Sequence, residues 1–431
     1  MRKRLTVVTV GCKANFADSA SIVREAISAG FEFVSPGRSD ADVVIVNSCT
    51  VTHRADRDSR AFVRRARRDH PRASVILTGC YARNSPEARE TLREADHWIG
   101  IGEADALRSV LREIGGEVPA SARPLSDYAV DLLLGHRRTF LKIQDGCDFH
   151  CAYCVVPRAR GKNRSLPVRE ILDRAAAAER DGARELVLTG IHVGLYGADR
   201  GEKDALARLI AALLKETDRV RLRLSSIEPM EVTDTLLDRI AGDRRVCPHL
   251  HIPLQSGCDR TLSRMRRPYD VRGYEEIVRR VSSRVPDVHV GADVIVGFPG
   301  ETPADFEETV RFLGGVPVNY LHVFPYSVRE GTESAQWKDD VPGREKKERV
   351  SRLLRLDAEK RTRFLRSMVG KELEVLAETA HPSRVELSGT SGNYVEVTFP
   401  GESDCVGGLF RVRATSVAGR GVSGIREERD V

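Results

Sequence analysis

The chain has 431 residues, of which 41% are hydrophobic and 31% are charged, and its formal net charge is +6. This length is too great for one small core and predicts two to four domains. No segment reaches the roughly 20 consecutive apolar residues of a transmembrane helix. The basic start of the chain lacks the apolar core and the cleavage site of a signal peptide, so we expect a cytoplasmic protein that does not contact the membrane.

The first region, residues 1–120, alternates apolar strand-like runs with helical stretches, which predicts an open parallel α/β sheet. The runs are Leu5–Val10, Ala41–Asn47 and Ser74–Thr78, and the cysteines that follow them are Cys12, Cys49 and Cys80. The carboxyl ends of parallel strands meet at one edge, where ligands collect, so we expect the three cysteines to lie close together. Three unrelated buried cysteines are the alternative.

A run of arginines follows the second cysteine and is predicted to form a helix. Four of its side chains would share one face at helical spacing: Arg60, Arg64, Arg67 and Arg68. Clustered guanidinium groups suit phosphate, so this face is a candidate RNA-binding surface. A solvated helix face is the plainer interpretation of the same run.

Residues 121–136 resemble a linker, and residues 137–367 return to alternating strands and helices. The candidate strands are Thr139–Gln144, Glu185–Thr189, Arg221–Ser225, His249–Ile252, Val288–Val296 and Tyr320–Phe324. Six such units predict a partial (β/α)6 barrel with its function at the carboxyl ends of the strands. This region ends in a predicted basic helix, Arg344–Arg366, which is a second candidate phosphate-binding surface.

From residue 368 to residue 431 the chain changes to short β-rich runs separated by Gly, Ser and Pro. The runs are Leu373–Thr379, Arg384–Leu387, Tyr394–Thr398 and Leu409–Thr415. This pattern predicts a small all-β barrel, OB-like in kind.

The strongest chemical signal is the run Cys147-x3-Cys151-x2-Cys154, directly after the first candidate barrel strand. Three thiolates on a short loop bind three irons of a 4Fe–4S cluster and leave the fourth iron open to a small molecule. A zinc site is the alternative, but structural zinc usually takes paired half-sites, and no second Cys-x2-Cys follows. Cys247, Cys258 and Cys405 match no motif and are interpreted as non-ligands.

The Cys147 run, with Tyr153 before its last cysteine, resembles the signature of radical S-adenosylmethionine (SAM) enzymes. The rest of the chain resembles the methylthiotransferase family within that superfamily. The motifs that carry this resemblance are GCKAN from Gly11, NSCTVT from Asn47, TGCY from Thr78, LVLTGIHVG from Leu186, SSIEP from Ser225, HIPLQSG from His251, DVIVGFPGE from Asp293 and FPYS from Phe324. The C-terminal region resembles a TRAM domain, an RNA-binding β-barrel.

The resemblance implies that Cys12, Cys49 and Cys80 hold an auxiliary 4Fe–4S cluster that carries the sulfur. It also implies that the Cys147, Cys151 and Cys154 cluster binds SAM. Tyr153 is a candidate contact for the SAM adenine. Glu228 and Glu301, just past candidate strand ends, could bind SAM or could equally be salt-bridged surface groups.

The implied reaction is methylthiolation of C2 of N6-threonylcarbamoyladenosine at tRNA position 37, beside the anticodon. Sister branches of the family modify N6-isopentenyladenosine in tRNA or an aspartate of a ribosomal protein. An iron–sulfur protein that binds RNA or senses redox state, without radical chemistry, is an alternative of another class. We expect a monomer that uses tRNA, SAM, an electron donor and a sulfur source; the last two are not identified by the sequence.

Overall fold

The computed structural model describes residues 2–37, 40–115 and 125–427, so residues 121–124 of the predicted linker lie outside the described residues. The strands are β1 (Arg4–Thr9), β2 (Glu32–Phe33), β3 (Val43–Ser48), β4 (Ser74–Gly79), β5 (His97–Gly100), β6 (Thr139–Lys142), β7 (Gln144–Asp145), β8 (Arg164–Ser165), β9 (Glu185–Thr189), β10 (Arg221–Leu224), β11 (His249–His251), β12 (His289–Val296), β13 (Tyr320–Pro325), β14 (Glu372–Ala380), β15 (Glu386–Ser391), β16 (Glu396–Pro400), β17 (Leu409–Ala418) and β18 (Gly421–Arg426).

The helices lie between these strands. They are α1 (Lys13–Ser28), α2 (His53–Asp69), α3 (Cys80–Asn84), α4 (Ala104–Ile114), α5 (Asp127–Leu133), α6 (Val156–Arg160), α7 (Val168–Arg180), α8 (Ala205–Glu216), α9 (Asp234–Gly242), α10 (Asp259–Arg264), α11 (Val271–Arg284), α12 (Pro303–Gly315) and α13 (Gly343–Met368). In the described part of the chain, no helix is both long enough and apolar enough to cross a bilayer.

The contacts divide the chain into two compact units. The first comprises residues 1–181, 189–191 and 327–335, and the second comprises residues 182–188, 192–326 and 336–431. In the first unit, β2, β1, β3, β4 and β5 form a parallel sheet in that order. Its central strand β3 is buried along its whole length, as its apolar sequence requires on a sheet with both faces covered. The predicted open parallel α/β fold of this region is confirmed.

In the second unit, parallel strands alternate with helices. Strands β9 and β10 pair in parallel, and β11, β12 and β13 form a parallel sheet in that order. Isolated parallel bridges from Leu222 to Val246 and from Ser226 to His251 connect the β10 segment with the β11 segment. All six runs predicted as barrel strands form strands, namely β6 of the first unit and β9–β13, so the expected fold class is confirmed.

The C-terminal region of the second unit is a closed barrel with the strand order β14-β15-β16-β18-β17. Its core contains Val375, Leu387, Phe399 and Val412, and helix α13 adds Phe364 to the same core. The predicted small β-barrel is therefore confirmed. Strand β18 was not among the four predicted strands.

Part of the predicted linker has regular structure. Residues 127–133 form helix α5, which starts at the N-cap Ser126, and its Val130 packs into the apolar core of the first unit. The domain boundaries at residues 120, 136 and 367 stay predictions.

Candidate active site

The three N-terminal cysteines lie at one edge of the first sheet. Strands β1, β3 and β4 are neighbours, and their register pairs Thr9 with Asn47 and Ser48 with Gly79. Cys49 therefore directly follows β3, and Cys80 directly follows β4 as the first residue of α3. Cys12, the N-cap of α1, follows β1 at the same edge. The structure thus brings the three cysteines together, as their positions after parallel strands predict.

A close approach at Gly11 shows how tightly this edge is built. Its backbone has φ +115°, a conformation that favours glycine, and a Cβ there would lie 2.7 Å from Cβ and 2.9 Å from Sγ of Cys49. Burial, followed by the nearby Cys12 and Cys80 thiols, raises the pKa of Cys49 to about 12. A metal ligand must be the thiolate, so ligation at this edge would release protons.

Arg160 connects the sulfur of Cys80 with the carboxylates around it. Its Nε–H donates to Sγ of Cys80 at 3.2 Å. Its Nη atoms donate to Asn15 Oδ1 at 2.5 Å, to Asp18 Oδ2 at 2.8 Å and to Asp145 Oδ1 at 3.1 Å. The side chain is 1% exposed. A charged N–H donor on a cluster sulfur raises the reduction potential of that cluster, so this guanidinium is suited to tune a cluster at this edge.

Sequence reasoning missed Arg160. It lies six residues after Cys154, and nothing in its immediate neighbours distinguishes it from the other arginines. Its partners Asn15 and Asp18 are 145 and 142 residues away along the chain, so only the fold brings them together.

The second cysteine set lies on the loop between β7 and α6, within the same unit. The Cys147 N–H donates to the Gly161 carbonyl at 3.1 Å, and the Phe149 N–H donates to Sγ of Cys147 at 3.4 Å. The Cys154 N–H donates to the Cys151 carbonyl at 3.0 Å. Cys147, Cys151 and Cys154 are all half-buried. A backbone donor on a ligand sulfur is one of the contacts by which a protein holds and tunes an iron–sulfur cluster.

The zinc alternative for these cysteines loses support from their spacing. Zinc–sulfur bonds place tetrahedral thiolates about 3.8 Å apart. Within the described ranges, no cysteine sulfur belongs to a group of three or more ligand atoms that lie within 4.8 Å of one another. A set of three thiols matches the number of protein ligands on a four-iron cluster that keeps one iron open.

The candidate SAM residues are placed as follows. Tyr153 is half-buried between two of the loop cysteines. The carboxylate of Glu228 is paired with Arg267, and that of Glu301 is paired with Arg349. Burial raises the pKa of both carboxyl groups, against the effect of the paired guanidinium groups. Both carboxylates are thus salt-bridged, but neither is an exposed surface group, since Glu228 is half-buried and Glu301 is buried. Their contact with SAM stays a prediction.

The arginines of α2 are not equivalent. Arg67 donates to Asp96 at 2.6 Å and to the carbonyl of Ala73 at 2.9 Å, so it ties the helix to the sheet. Arg60 donates to the Tyr81 hydroxyl at 3.3 Å. Arg64 and Arg68 are mostly exposed and form only surface ion pairs, with Glu94 and Asp69. The two exposed side chains are therefore the better candidates for a phosphate.

The predicted basic helix, α13, also keeps several of its charges inside the second unit. Lys346 pairs with Asp339 at 2.6 Å, and Lys360 donates to the carbonyl of Val316 at 2.9 Å. Burial lowers the pKa of Lys360 to about 8. These cations support the fold, which reduces the number that α13 can offer to RNA.

Comparisons with known proteins agree with this geometry. The radical SAM superfamily model matches residues 141–313, and a model described as uncharacterized protein family UPF0004 matches residues 4–100. The chain is 37% identical, over 94% of its length and 98% of the relative, to a threonylcarbamoyladenosine tRNA methylthiotransferase MtaB of Aquifex aeolicus. It is 30% identical, over 95% of its length and 94% of the relative, to a tRNA-2-methylthio-N(6)-dimethylallyladenosine synthase of Desulfitobacterium hafniense.

The chain belongs to the radical SAM methylthiotransferase family. Membership makes the protein a transferase that uses SAM and two 4Fe–4S clusters. Among solved structures, the radical SAM methyltransferase TsrM of Kitasatospora setae matches with a TM-score of 0.53 at 16% identity, over 75% of each chain, and this likeness supports the fold alone.

Proposed function

We propose that the protein is a tRNA methylthiotransferase that adds a methylthio group to C2 of N6-threonylcarbamoyladenosine at position 37. The observation that carries this proposal is the near full-length similarity to relatives named for that substrate, at 34–37% identity. Relatives named for the dimethylallyl substrate follow at 30–32% identity.

We assign the two cysteine sets to the two clusters. Cys12, Cys49 and Cys80 hold the auxiliary cluster, supported by their common position at the edge of one parallel sheet. Cys147, Cys151 and Cys154 hold the cluster that binds SAM, supported by their spacing and by the backbone donor to Cys147. When bound, that cluster supplies the electron that cleaves SAM to a 5′-deoxyadenosyl radical.

The remaining roles are assigned by position. Tyr153 is assigned to the SAM adenine. Glu228 and Glu301, each paired with an arginine, are assigned as further SAM-binding groups. Arg64 and Arg68 contact tRNA phosphates, and Arg60 and Arg67 support that surface. The protein acts as a cytoplasmic monomer, with an electron donor and a sulfur source supplied by the cell.

The substrate is tested by mass spectrometry of tRNA nucleosides from a strain that lacks the gene. The expected result is loss of the 2-methylthio form of N6-threonylcarbamoyladenosine and accumulation of the unmethylthiolated nucleoside. If the 2-methylthio form of isopentenyladenosine is lost instead, the protein acts on the substrate of the sister branch.

The cluster assignment is tested with single cysteine variants. Cys49→Ala should still form 5′-deoxyadenosine from SAM and dithionite but transfer no methylthio group, whereas Cys151→Ala should do neither. Iron analysis should give about eight irons in the wild type and about four in a variant that lacks one whole set. Circular dichroism checks that both variants are folded. Absence of 5′-deoxyadenosine from the reconstituted wild type would favour a binding or sensing protein without radical chemistry.

A further inference from the structure

Polar side chains line one face of the strands β11, β12 and β13 in the second unit. The register places Asp293 of β12 opposite His322 of β13, and His251 of β11 opposite Gly291. The alternate residues of β12, such as Val294, are fully buried on the other face. One face of this sheet is therefore apolar and covered, and the opposite face carries imidazole, phenol and carboxylate groups.

The amino-terminal end of this polar face is closed. The ring of Tyr394, from the loop between β15 and β16, stacks on His249 with centroids 4.4 Å apart. The ring of Phe364 stacks on His289 at 4.2 Å. His249, His289 and Tyr320 are all buried. These side chains are therefore covered by aromatic rings at that end.

Further along the strands, the same face opens. The side chain of Asp293 is 26% exposed and that of His322 is 52% exposed, whereas His251 stays buried. Phe324, two residues beyond His322 on β13, is also exposed. The opening lies towards the carboxyl ends of the strands, where barrels of this class hold their substrates.

The open end carries a triad of oriented groups, His251, Asp293 and His322. Nε2 of His251 lies 3.0 Å from Oδ1 of Asp293, and Nδ1 of His322 lies 3.4 Å from the same oxygen. The Tyr320 hydroxyl lies 3.1 Å from Nδ1 of His251 and so fixes that ring. Although burial opposes it, His251 and then His322 hold the pKa of Asp293 below its usual range. In the described structure, Nε2 of His322 has no hydrogen-bond partner and lies on the exposed ring.

We propose that this triad binds the threonylcarbamoyl side chain of the substrate adenosine, with His322 donating from Nε2 to its carboxylate. With Nδ1 of His322 turned towards Asp293, the Nε2 edge of its exposed ring is left to meet the substrate. The threonylcarbamoyl group ends in a carboxylate and a hydroxyl, whereas a dimethylallyl group has no polar atom. The inference rests on the proposed function and names the contact that would select this substrate.

The three ligand atoms also lie close enough together to hold a metal ion. The separations of 3.0 Å and 3.4 Å, however, are already those of direct nitrogen–oxygen interactions. We therefore treat a bound cation as an outcome of the experiment.

The test uses the reconstituted full-length enzyme and anticodon stem-loop RNAs that differ only in the N6 substituent of A37: threonylcarbamoyl, dimethylallyl or hydrogen. The wild type should bind the threonylcarbamoyl loop about tenfold or more tightly than the unmodified loop, as one charge-assisted hydrogen bond allows. His322→Phe should erase this preference and leave the affinity for the unmodified loop unchanged. His381→Phe, at an exposed histidine of the C-terminal barrel, is the matched control and should keep the preference.

Three results would overturn the inference. The first is a folded His322→Phe enzyme that keeps the wild-type preference. The second is a loss of SAM affinity in His322→Phe that is large enough to explain the loss of RNA preference. The triad would then bind SAM and not the RNA substrate. The third is the presence of one zinc ion per chain in the wild type that is absent from His322→Phe. If the binding preference also requires that zinc, the triad is a metal site.

Failure of this inference is distinguishable from failure of the proposed function. If the wild type does not methylthiolate the threonylcarbamoyl loop at all, the proposed substrate is wrong. If the wild type modifies that loop and His322→Phe binds it with the same preference, only the role of the triad is wrong.

Discussion

At the scale of single residues, Arg160 is the side chain with the most specific relation to a cluster ligand. Arg160→Met keeps much of the side-chain volume but removes the N–H donor on Cys80 and the charge between Asp18 and Asp145. We expect the reduction potential of the auxiliary cluster to fall, because hydrogen bonds to sulfur and nearby positive charge both favour the reduced cluster. A redox titration followed by electron paramagnetic resonance measures the change.

The control for this prediction is Arg164→Met, at an exposed arginine 3.9 Å from the same Asp145. Its cluster potentials should equal those of the wild type. An unchanged potential in an Arg160→Met protein that still carries both clusters would refute the tuning role.

Asp131 gives a pH-dependent prediction. Burial raises the pKa of this carboxyl to about 7, against the N–H donated by Phe140 and the charges of Arg24 and Arg174. The folded state therefore holds a proton between about pH 4 and pH 7 that the unfolded state has released, so this group makes stability fall as the pH rises through that range. Asp131→Asn removes the effect.

We compare the change in the free energy of unfolding that Asp131→Asn causes at two pH values. This change should be more stabilising at pH 8 than at pH 4 by roughly 2–4 kcal/mol. Thermal unfolding midpoints of variant and wild type, measured at both pH values, test this. Asp173→Asn, at an exposed aspartate of α7, should show no such difference. A variant whose midpoint differs from wild type by the same amount at both pH values would show that Asp131 is ionised when buried.

At the scale of elements, two glycine turns set the cysteines in place. Besides Gly11, Gly146 precedes Cys147 with φ +75°, and a Cβ there would lie 1.9 Å from the Lys162 carbonyl oxygen. Gly11→Ala should displace Cys49 and reduce the iron content from about eight to about four while SAM cleavage continues. Gly146→Ala should also lose about four irons, but it should abolish SAM cleavage.

Gly343→Ala is the matched control for the two turn variants, because a Cβ at this first residue of α13 meets no atom within 4 Å. It should retain all the iron. Full iron content in a folded Gly11→Ala protein would show that the turn tolerates a side chain and that the close approach to Cys49 does not matter.

The same scale shows what the sequence can predict. Strands β1, β3 and β4 and the six barrel strands were all predicted, although β11 has only three residues and β6 and β10 only four. Strands β2 and β5, the two edge strands of the first sheet with two and four residues, were not predicted. The phosphate-binding role predicted for α13 was weakened by ion pairs with Asp339 and contacts with the Val316 carbonyl, which depend on the fold.

The residues of the candidate site also divide into those that the sequence predicts and those that it does not. The cysteines could be predicted because each follows a strand or belongs to a dense local motif. Arg160 could not, since its partners come from distant segments. His251 and Asp293 each begin a quoted motif, but their contact with one another and with His322 depends on the register of neighbouring strands. Local sequence carries no signal for such contacts.

At the scale of the whole molecule, the net charge of +6 is modest, so tRNA affinity must come from local arginine surfaces. We expect Arg64→Glu with Arg68→Glu to weaken tRNA binding and to lower the slope of log affinity against log salt by roughly 0.7–0.9 for each phosphate that the variant no longer binds. Binding isotherms at several salt concentrations measure this slope.

Arg272→Glu, at an exposed arginine of α11, is the control for charge alone. Its salt slope should stay near that of the wild type. Equal affinity of the double variant and the wild type for tRNA would exclude the α2 surface from RNA binding.

The ring of Tyr394 has a consequence for the exchange of modules. It belongs to the C-terminal barrel, yet it covers His249 and lies under the guanidinium of Arg223, which also donates to the carbonyls of Ser391 and Gly392. A transplanted barrel whose loop follows a different path would remove these two main-chain acceptors and leave Arg223 only its bonds to Glu185. Exchange of this barrel for that of another protein should therefore preserve the path of the loop over residues 391–395.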